Sequence, residues 1–224
     1  MPHQLNLEVV DADGAIREAA AAAGLDRAGF LKKGALAGGG LIAGGAMFCA
    51  FLADAEAAIS TTRRSKANDV RILNYALTLE FLEAAFYEQA VANAAYGNNA
   101  NLKRFAEVVA RHEARHVTFL KGALGGKAIK SPRFDFGDTV TDPAKFAATA
   151  QVLEDTGVSA YLGQVKNVLQ PGVLSAAGTI ATVEARHAAW IRFINGATPA
   201  PADFDRPKSE KAILSAVGDT GFIK

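Results

Sequence analysis

The sequence predicts an all-α protein whose main domain is a four-helix bundle with one long crossover between helices 2 and 3. Four long segments carry apolar residues at helical spacing, and no alternating stretch of comparable length predicts a sheet. Short loops join the helices within each pair, whereas the link between the pairs runs from about Gly125 to Asp142. One long crossover separates this topology from the up-down-up-down bundle, which needs none.

Composition limits the class of protein. The chain has 224 residues, half of them hydrophobic, which suits one domain with a core and one additional segment. A formal net charge of +1 provides no basic field, so we expect no nucleic-acid partner. The single cysteine, Cys49, lies near the N-terminus, which excludes disulfides and thiolate metal ligands from the main domain.

Residues 1–57 have the pattern of an export signal or a membrane anchor. A positive flank precedes residues 34–53, which carry no charge and include six glycines, and small-residue Ala-x-Ala sites follow. The stretch from Arg27 to Lys32, Arg-Ala-Gly-Phe-Leu-Lys, resembles a twin-arginine export signal in which Ala28 replaces the second arginine.

Two other interpretations of residues 34–53 remain open. A buried helix is costly here, because each glycine costs about 1 kcal/mol relative to alanine. A retained membrane anchor is the second alternative, since about 20 apolar residues can span a bilayer. Export and anchoring both predict an extracytoplasmic main domain, whether periplasmic, in the cell envelope or secreted, and anchoring adds membrane association through residues 34–53.

The bundle is predicted over residues 68–196, after a basic linker at 58–67 and before a C-terminal tail at 197–224. Capping residues, prolines and glycines mark the helix ends. The predicted limits are Asn68 or Asp69 to about Tyr96, Asn101 to Gly125, Asp142-Pro143 to Pro171-Gly172, and from there to Gly196, with a short tail helix near residues 209–217.

Each of the four helices places a glutamate in the middle of an apolar stripe, and two helices add a histidine three residues later. An unpaired carboxylate in an apolar core costs several kcal/mol, and four of them would also repel one another. Two divalent cations would neutralise them, and Glu-x-x-His places both side chains on one side of a helix. The predicted metal ligands are Glu80, Glu113, His116, Glu154, Glu184 and His187.

This donor set is the one found in di-iron and di-manganese carboxylate bundles. We expect two iron ions, with two manganese ions as the alternative, because both metals accept carboxylate and imidazole ligands. The pattern also repeats internally. Each lone glutamate has a tyrosine seven residues later, Tyr87 and Tyr161, which we expect to pack in the core with a hydroxyl near the site rather than to act as catalysts.

Several charged neighbours compete with these positions. Glu83 lies one turn beyond Glu80 and is either an additional ligand or a surface residue, with the surface preferred. His112 and Glu88 are expected off the site. Arg115 and Arg186 lie between ligands on a rotated face and are expected at the surface.

The residues about 68–195 resemble the ferritin-like domain family that includes desiccation-related proteins. The resemblance rests on the stretch from Leu73 to Glu80, the two Glu-x-x-His units, and the stretch from Leu153 to Tyr161. It implies a ferritin-like bundle with a dinuclear metal site on the six residues above. Bacterioferritin-type relatives have an acidic residue before a ligand glutamate, where this chain has His112 or Val183, so Asp155 becomes the candidate partner of the histidines.

Three functions fit these expectations. The first is a redox enzyme of peroxidase, catalase or ferroxidase type, because two adjacent metals can bridge a peroxide and share its two electrons. The second is a structural or stress-protection protein of the envelope, including oxidative or desiccation stress. The third is iron storage in a cage, against which export argues. The oligomeric state stays open, a dimer included.

Overall fold

The computed structural model describes residues 58–224, and the predicted export signal or anchor at 1–57 lies outside the described residues. Among the described residues, the regular secondary structure is helical, and the β-type pairing is limited to an isolated bridge between Phe134 and Ile223. The α-helices are α1 (Lys66–Ala92), α2 (Ala100–Leu124), α3 (Pro143–Gln164), α4 (Pro171–Ile194) and α5 (Glu210–Asp219). Short 3-10 helices lie at Gly125–Lys127, Gly137–Val140 and Val165–Asn167.

The four long helices pair as the loop lengths predict. Helix α1 packs mainly against α2, and α3 packs mainly against α4. Residues 93–99 and 165–170 join the partners, whereas residues 125–142 form the long link between the two pairs. The 3-10 helix Gly137–Val140 in this link packs on α1 and α3. The predicted all-α bundle with one long crossover is therefore confirmed.

The start of α1 differs from the prediction. The N-cap is Ser65, whose side chain accepts from the backbone N–H of Asn68 at 3.0 Å, and the helix begins at Lys66. Asn68 lies buried inside the first turn, where its amide donates to the carbonyls of Ser60 and Asn167. A serine three residues upstream is therefore the cap, and the predicted cap residue connects distant segments instead.

Asp69 also has a tertiary role. Its buried carboxylate accepts from the backbone N–H groups of Leu169 and Gln170, and from the Gln170 side chain, at 2.8–3.0 Å. Gln170 directly precedes Pro171, which begins α4, and its backbone is extended because a following proline disfavours the helical region. Asp69 therefore ties the first turn of α1 to the entry of α4.

Helices α2 and α3 begin as expected. The Asn99 side chain caps α2, and Asp142 accepts from the N–H groups of Ala144 and Lys145 with Pro143 at the first helical position. Helix α3 ends at Gln164, well before the predicted end at Pro171. The chain tightens there into a 3-10 turn and then becomes extended at Val168.

The C-terminal tail belongs to the core. Helix α5 is capped by Ser209 and buries Ile213 and Val217. Its limits, Glu210–Asp219, lie close to the predicted residues 209–217. Before it, the chain crosses α3 closely, since a Cβ at Gly163 would lie 1.8 Å from the Lys208 carbonyl oxygen. Only glycine allows this approach. In the described part of the chain, no helix is long and apolar enough to cross a membrane.

Candidate metal centre

The four predicted glutamates meet in the middle of the bundle. Glu80, Glu113, Glu154 and Glu184 come from α1, α2, α3 and α4, and each is 0 % exposed. His187 is buried beside them, and His116 lies slightly nearer the surface. The structure thus brings together all six residues that the sequence analysis selected.

The first group of ligand atoms surrounds His116. Its Nδ1 atom lies 3.1 Å from Glu80 Oε2, 3.1 Å from Glu113 Oε2 and 3.1 Å from Glu184 Oε1. One N–H cannot donate to three oxygens at once. Imidazole and carboxylate atoms bind a divalent ion such as zinc at about 2.1 Å, which places tetrahedral ligands about 3.4 Å apart. The observed spacing has the size of a metal coordination sphere.

The second group surrounds His187. Its Nδ1 atom lies 3.3 Å from Glu113 Oε1 and 3.3 Å from Glu154 Oε2, and 3.8 Å from Glu184 Oε2. Glu113 and Glu184 therefore each direct one oxygen toward each histidine. Glu80 directs an oxygen only toward His116, and Glu154 directs one only toward His187. The arrangement has two positions, with two shared carboxylates and two terminal ones.

The chemistry of these atoms fits two cations. Among the described residues, five buried atoms of this cluster have no hydrogen-bond partner: Glu113 Oε1, Glu154 Oε2, both carboxylate oxygens of Glu184, and Nδ1 of His187. Buried polar atoms are nearly always paired, and each unpaired one costs about 1–3 kcal/mol. Metal ions would satisfy these atoms together, which polar contacts within the protein do not.

Without a metal, the cluster holds protons. Burial raises the pKa of Glu80 well above its usual range, and the neighbouring Glu113 adds to the effect. Burial likewise raises the pKa of Glu154, to about 8, although His187 opposes it. Glu113 differs, since burial would raise its pKa but the adjacent His116 and His187 imidazoles outweigh it and lower the pKa to about 2.

The two histidines also have raised pKa values, because the surrounding carboxylates favour the protonated imidazole. Burial alone would lower the pKa of His116, but the carboxylates of Glu113, Glu184 and Glu80 outweigh it and raise that pKa to about 12. The pKa of His187 also rises to about 12 for the same reason, through Glu113, Glu154 and Glu184. In the metal-free protein, the protonated imidazoles of His116 and His187 therefore supply positive charge next to the carboxylates.

The two tyrosines hold the terminal glutamates. The Tyr87 hydroxyl donates to Glu154 Oε1, and the Tyr161 hydroxyl donates to Glu80 Oε1, both at 2.5 Å. In each glutamate the other oxygen, Oε2, is the one that faces a histidine. The phenols thus fix the orientation of both carboxylates, leaving one oxygen of each free for the site.

Glu83 was expected at the surface, and the structure contradicts this. Its side chain is only 3 % exposed and lies next to Gly157 of α3 and to Glu184. The sequence carried a signal for this position, because residues three apart share one side of a helix, as in Glu-x-x-His. Glu80 was preferred because it shares with Glu154 the seven-residue spacing to a tyrosine, and that spacing does not decide whether Glu83 is buried as well.

His112 was expected off the site, yet its Nδ1 atom lies 2.8 Å from Nε2 of His187, and the two rings stack. Burial and the neighbouring His187 lower the pKa of His112, so a neutral His112 accepts the hydrogen bond. This contact fills the role expected of Asp155, whose carboxylate instead accepts from Arg192 at 2.6 and 2.9 Å. Glu88, Arg115 and Arg186 lie at the surface.

Tyr161, whose hydroxyl donates to Glu80, also lines an apolar cavity of about 210 Å³. Side chains from all four long helices line it, including Leu79, Leu120, Ala177 and the ring of Tyr161. The cavity therefore reaches the residue that holds a terminal carboxylate of the site.

A four-helix bundle with one long crossover and a buried carboxylate–histidine cluster defines a ferritin-like protein whose core could hold metal ions. A family model agrees, since that of the ferritin-like domain matches residues 68–197, more than half of the chain. The chain belongs to this family, as the resemblance in its motifs implied. No curated protein matches it in sequence.

Proposed function

We propose that this protein binds a dinuclear iron centre, with manganese as the alternative, and uses it in a redox reaction with O₂ or peroxide. The observation that carries the proposal is the sharing of Glu113 and Glu184 between two groups of ligand atoms. A single ion has no need of two carboxylates that each face two histidines. Shared carboxylates would hold two ions close together, which suits a reaction that needs two electrons at one place.

The residues of the cluster determine both the charge and the shape of the site. Four glutamates carry −4, which two divalent ions balance when both imidazoles are neutral. When bound, such a metal pair supplies two electrons, the number that converts H₂O₂ and two protons into two water molecules. The phenols of Tyr87 and Tyr161 orient the terminal carboxylates, and burial of all four glutamates excludes bulk water.

The apolar cavity beside Tyr161 supports a small apolar reactant such as O₂. The cavity offers an uncharged molecule an apolar space beside Tyr161, whose hydroxyl donates to the candidate ligand Glu80. A charged reactant would have to lose its hydration to enter this space, which is costly. O₂ and the neutral H₂O₂ molecule are therefore the reactants that the surroundings favour.

Metal analysis after anaerobic loading of the full chain with Fe²⁺ or Mn²⁺ tests the premise, and two ions per chain are expected. The variant Glu113→Ala should lose most of this metal. Glu107→Ala, an exposed glutamate on the same helix that pairs with Lys103, is the matched control and should keep it. A spectral titration with O₂ or H₂O₂ then tests the reaction, and a loaded protein that consumes neither contradicts the redox proposal.

A structural metal site is the second candidate, and the unpaired buried carboxylate oxygens favour it. In that case the ions hold the bundle together in an envelope protein that protects against stress. The double variant Glu113→Ala with Glu184→Ala separates the two functions. Loss of stability in this variant, with neither peroxide consumption nor ferroxidase activity in the parent, supports the structural function.

The location is also part of the proposal. The pattern of residues 1–57 supports export to an extracytoplasmic space. Fractionation of the producing cell, followed by N-terminal sequencing of the recovered protein, tests both export and cleavage. Recovery of the uncleaved chain in the cytoplasm alone contradicts this assignment. Native mass measured on the same sample tests iron storage, because a cage needs many subunits and a dimer cannot enclose a mineral.

A further inference from the structure

The internal repeat of the site does not extend to one buried carboxylate. Glu80 corresponds to Glu154 and Tyr87 to Tyr161, because each tyrosine follows its glutamate by seven residues. Three residues after each glutamate, however, the first half carries Glu83 and the second half carries Gly157. The two halves therefore differ in one carboxylate close to the centre.

The glycine makes room for the glutamate. A Cβ atom at Gly157 would lie 3.3 Å from Glu83 Oε1 and 3.5 Å from Glu184 Oε2. The first of these distances is tighter than an ordinary van der Waals contact. Glu83 thus reaches from α1 to the surface of α3, and its carboxyl group lies beside the shared carboxylate of Glu184.

The Glu184 oxygen that lies close to Gly157 indicates which half of the site is near Glu83. Glu184 Oε2 is the oxygen that faces His187, whereas Oε1 faces His116. The His187 position also has the smaller set of mutually close ligand groups, three compared with four around His116. Glu83 therefore approaches the site next to Gly157, on the side of the Glu184 oxygen that faces the position with fewer donors.

We propose that Glu83 is a seventh protein ligand, which supplies a carboxylate oxygen to the metal position held by Glu154 and His187. This inference rests on the proposed dinuclear centre. Glu83 makes the two metal positions inequivalent. With it, five carboxylates carry −5, which matches one divalent and one trivalent ion better than two divalent ions.

Anaerobic Mn²⁺ titration of the full chain by calorimetry tests the assignment. Glu83→Gln should weaken one of the two binding steps by about tenfold or more and leave the other within about threefold. Its metal-free form should be at least as thermally stable as the wild type, because a buried carboxyl among four others has been removed. Glu88→Gln, an exposed glutamate on the same helix, should match the wild type in both measurements.

A second variant approaches the same contact from the other helix. In Gly157→Ala the new methyl group displaces the Glu83 carboxyl, so the same binding step should weaken by a smaller factor. Two wild-type binding steps in Glu83→Gln overturn the inference. Equal weakening of both steps together with a less stable metal-free form also overturns it, because that result indicates a structural residue. A wild-type chain that binds no Mn²⁺ or Fe²⁺ overturns the dinuclear centre itself, which is a distinguishable result.

Discussion

Tyr87 on α1 and Glu154 on α3 are joined across the bundle by a hydrogen bond of 2.5 Å, and both residues are fully buried. Tyr161 and Glu80 form the same bond in the opposite direction. Each tyrosine therefore holds the terminal glutamate of the other helix pair. The orientation of the candidate ligands depends on correct packing of the two pairs.

Removal of one of these phenols should loosen the site without abolishing the fold. In Tyr87→Phe, Glu154 Oε1 loses its donor, which we expect to cost about 1–3 kcal/mol in the free energy of unfolding. Metal affinity should fall about tenfold or more, as is typical when the partner of a ligand is lost. Chemical denaturation and metal titration measure the two effects. Tyr96→Phe, in a partly exposed tyrosine, is the control and should stay within about 0.5 kcal/mol of the wild type.

Metal binding should stabilise the folded protein. A ligand present at one hundred times its dissociation constant adds about 2.7 kcal/mol per site when it binds only the folded state. Denaturation curves recorded anaerobically with and without Fe²⁺ or Mn²⁺ should therefore separate, and a chelator should reverse the shift. Coincident curves would contradict metal binding by the folded bundle.

Metal binding should release protons, and apparent affinity should rise with pH. The pKa values of His116 and His187 are raised to about 12 and that of Glu154 to about 8, so these groups hold protons near neutral pH. Metal ligands must be deprotonated, so each ion competes with these protons. Glu113, with a pKa lowered to about 2, contributes none. Calorimetry in buffers of different ionisation enthalpy should show release of about two or more protons.

The contribution of the two histidines to the stability of the metal-free protein should change with pH in the opposite direction. Because the two histidines have folded-state pKa values above their unfolded value, the stability they contribute is fully present below about pH 6.5. That contribution is lost as the pH rises through the folded values. Raising the pH from 6 to 9 should thus weaken this histidine contribution in the metal-free form while it strengthens metal binding. Metal affinity that falls over this range contradicts the assignment of the histidines as ligands.

His112 should set the tautomer of His187. With Nδ1 of His187 facing the carboxylates, its Nε2–H donates to Nδ1 of His112. His112→Ala removes this acceptor, and we expect metal affinity to fall about 10–100-fold. His112→Asn supplies an amide oxygen and should recover part of the loss. Arg115→Ala, at an exposed position on the same helix, should leave affinity unchanged.

Asp69 should matter for the fold and not for the site. In Asp69→Ala the N–H groups of Leu169 and Gln170 lose a charged acceptor, and we expect a loss of about 1.5–3 kcal/mol in unfolding free energy. The number of bound metal ions should not change. Asp138→Ala, in an exposed pair with Lys145, should cost less than about 1 kcal/mol. A loss of bound metal in Asp69→Ala would link this contact to the site.

The six central positions could be predicted because helical periodicity alone places them. Glu184 and His187 lie on a face flanked by isoleucines, and a charged pair in such a face requires a partner. Periodicity gives the side of a helix but not the reach of a side chain across the bundle. The contacts of Glu83 with Gly157 and of His112 with His187 join different helices, so only the packed structure shows them.

The helix ends illustrate a second limit. Asn68 is a good cap residue in isolation, yet Ser65 takes that role and Asn68 hydrogen-bonds segments far away in sequence. Asp155 was likewise the candidate partner of the histidines, but it pairs with Arg192, which comes within reach only when α3 and α4 are packed. Local preference identifies the candidates, and tertiary contacts select among them.

The difference between Glu83 and Gly157 has a consequence for the origin of the chain. Each helix pair carries three of the six donors, so two copies of one ancestral hairpin could have formed a complete site as a homodimer. In such a dimer Glu83 would face its own copy, and no glycine could receive it. Duplication and fusion of the hairpins would have allowed one copy to keep the acid while the other lost its side chain. The proposed asymmetric pair of metal positions would thus depend on divergence between the two halves of the bundle.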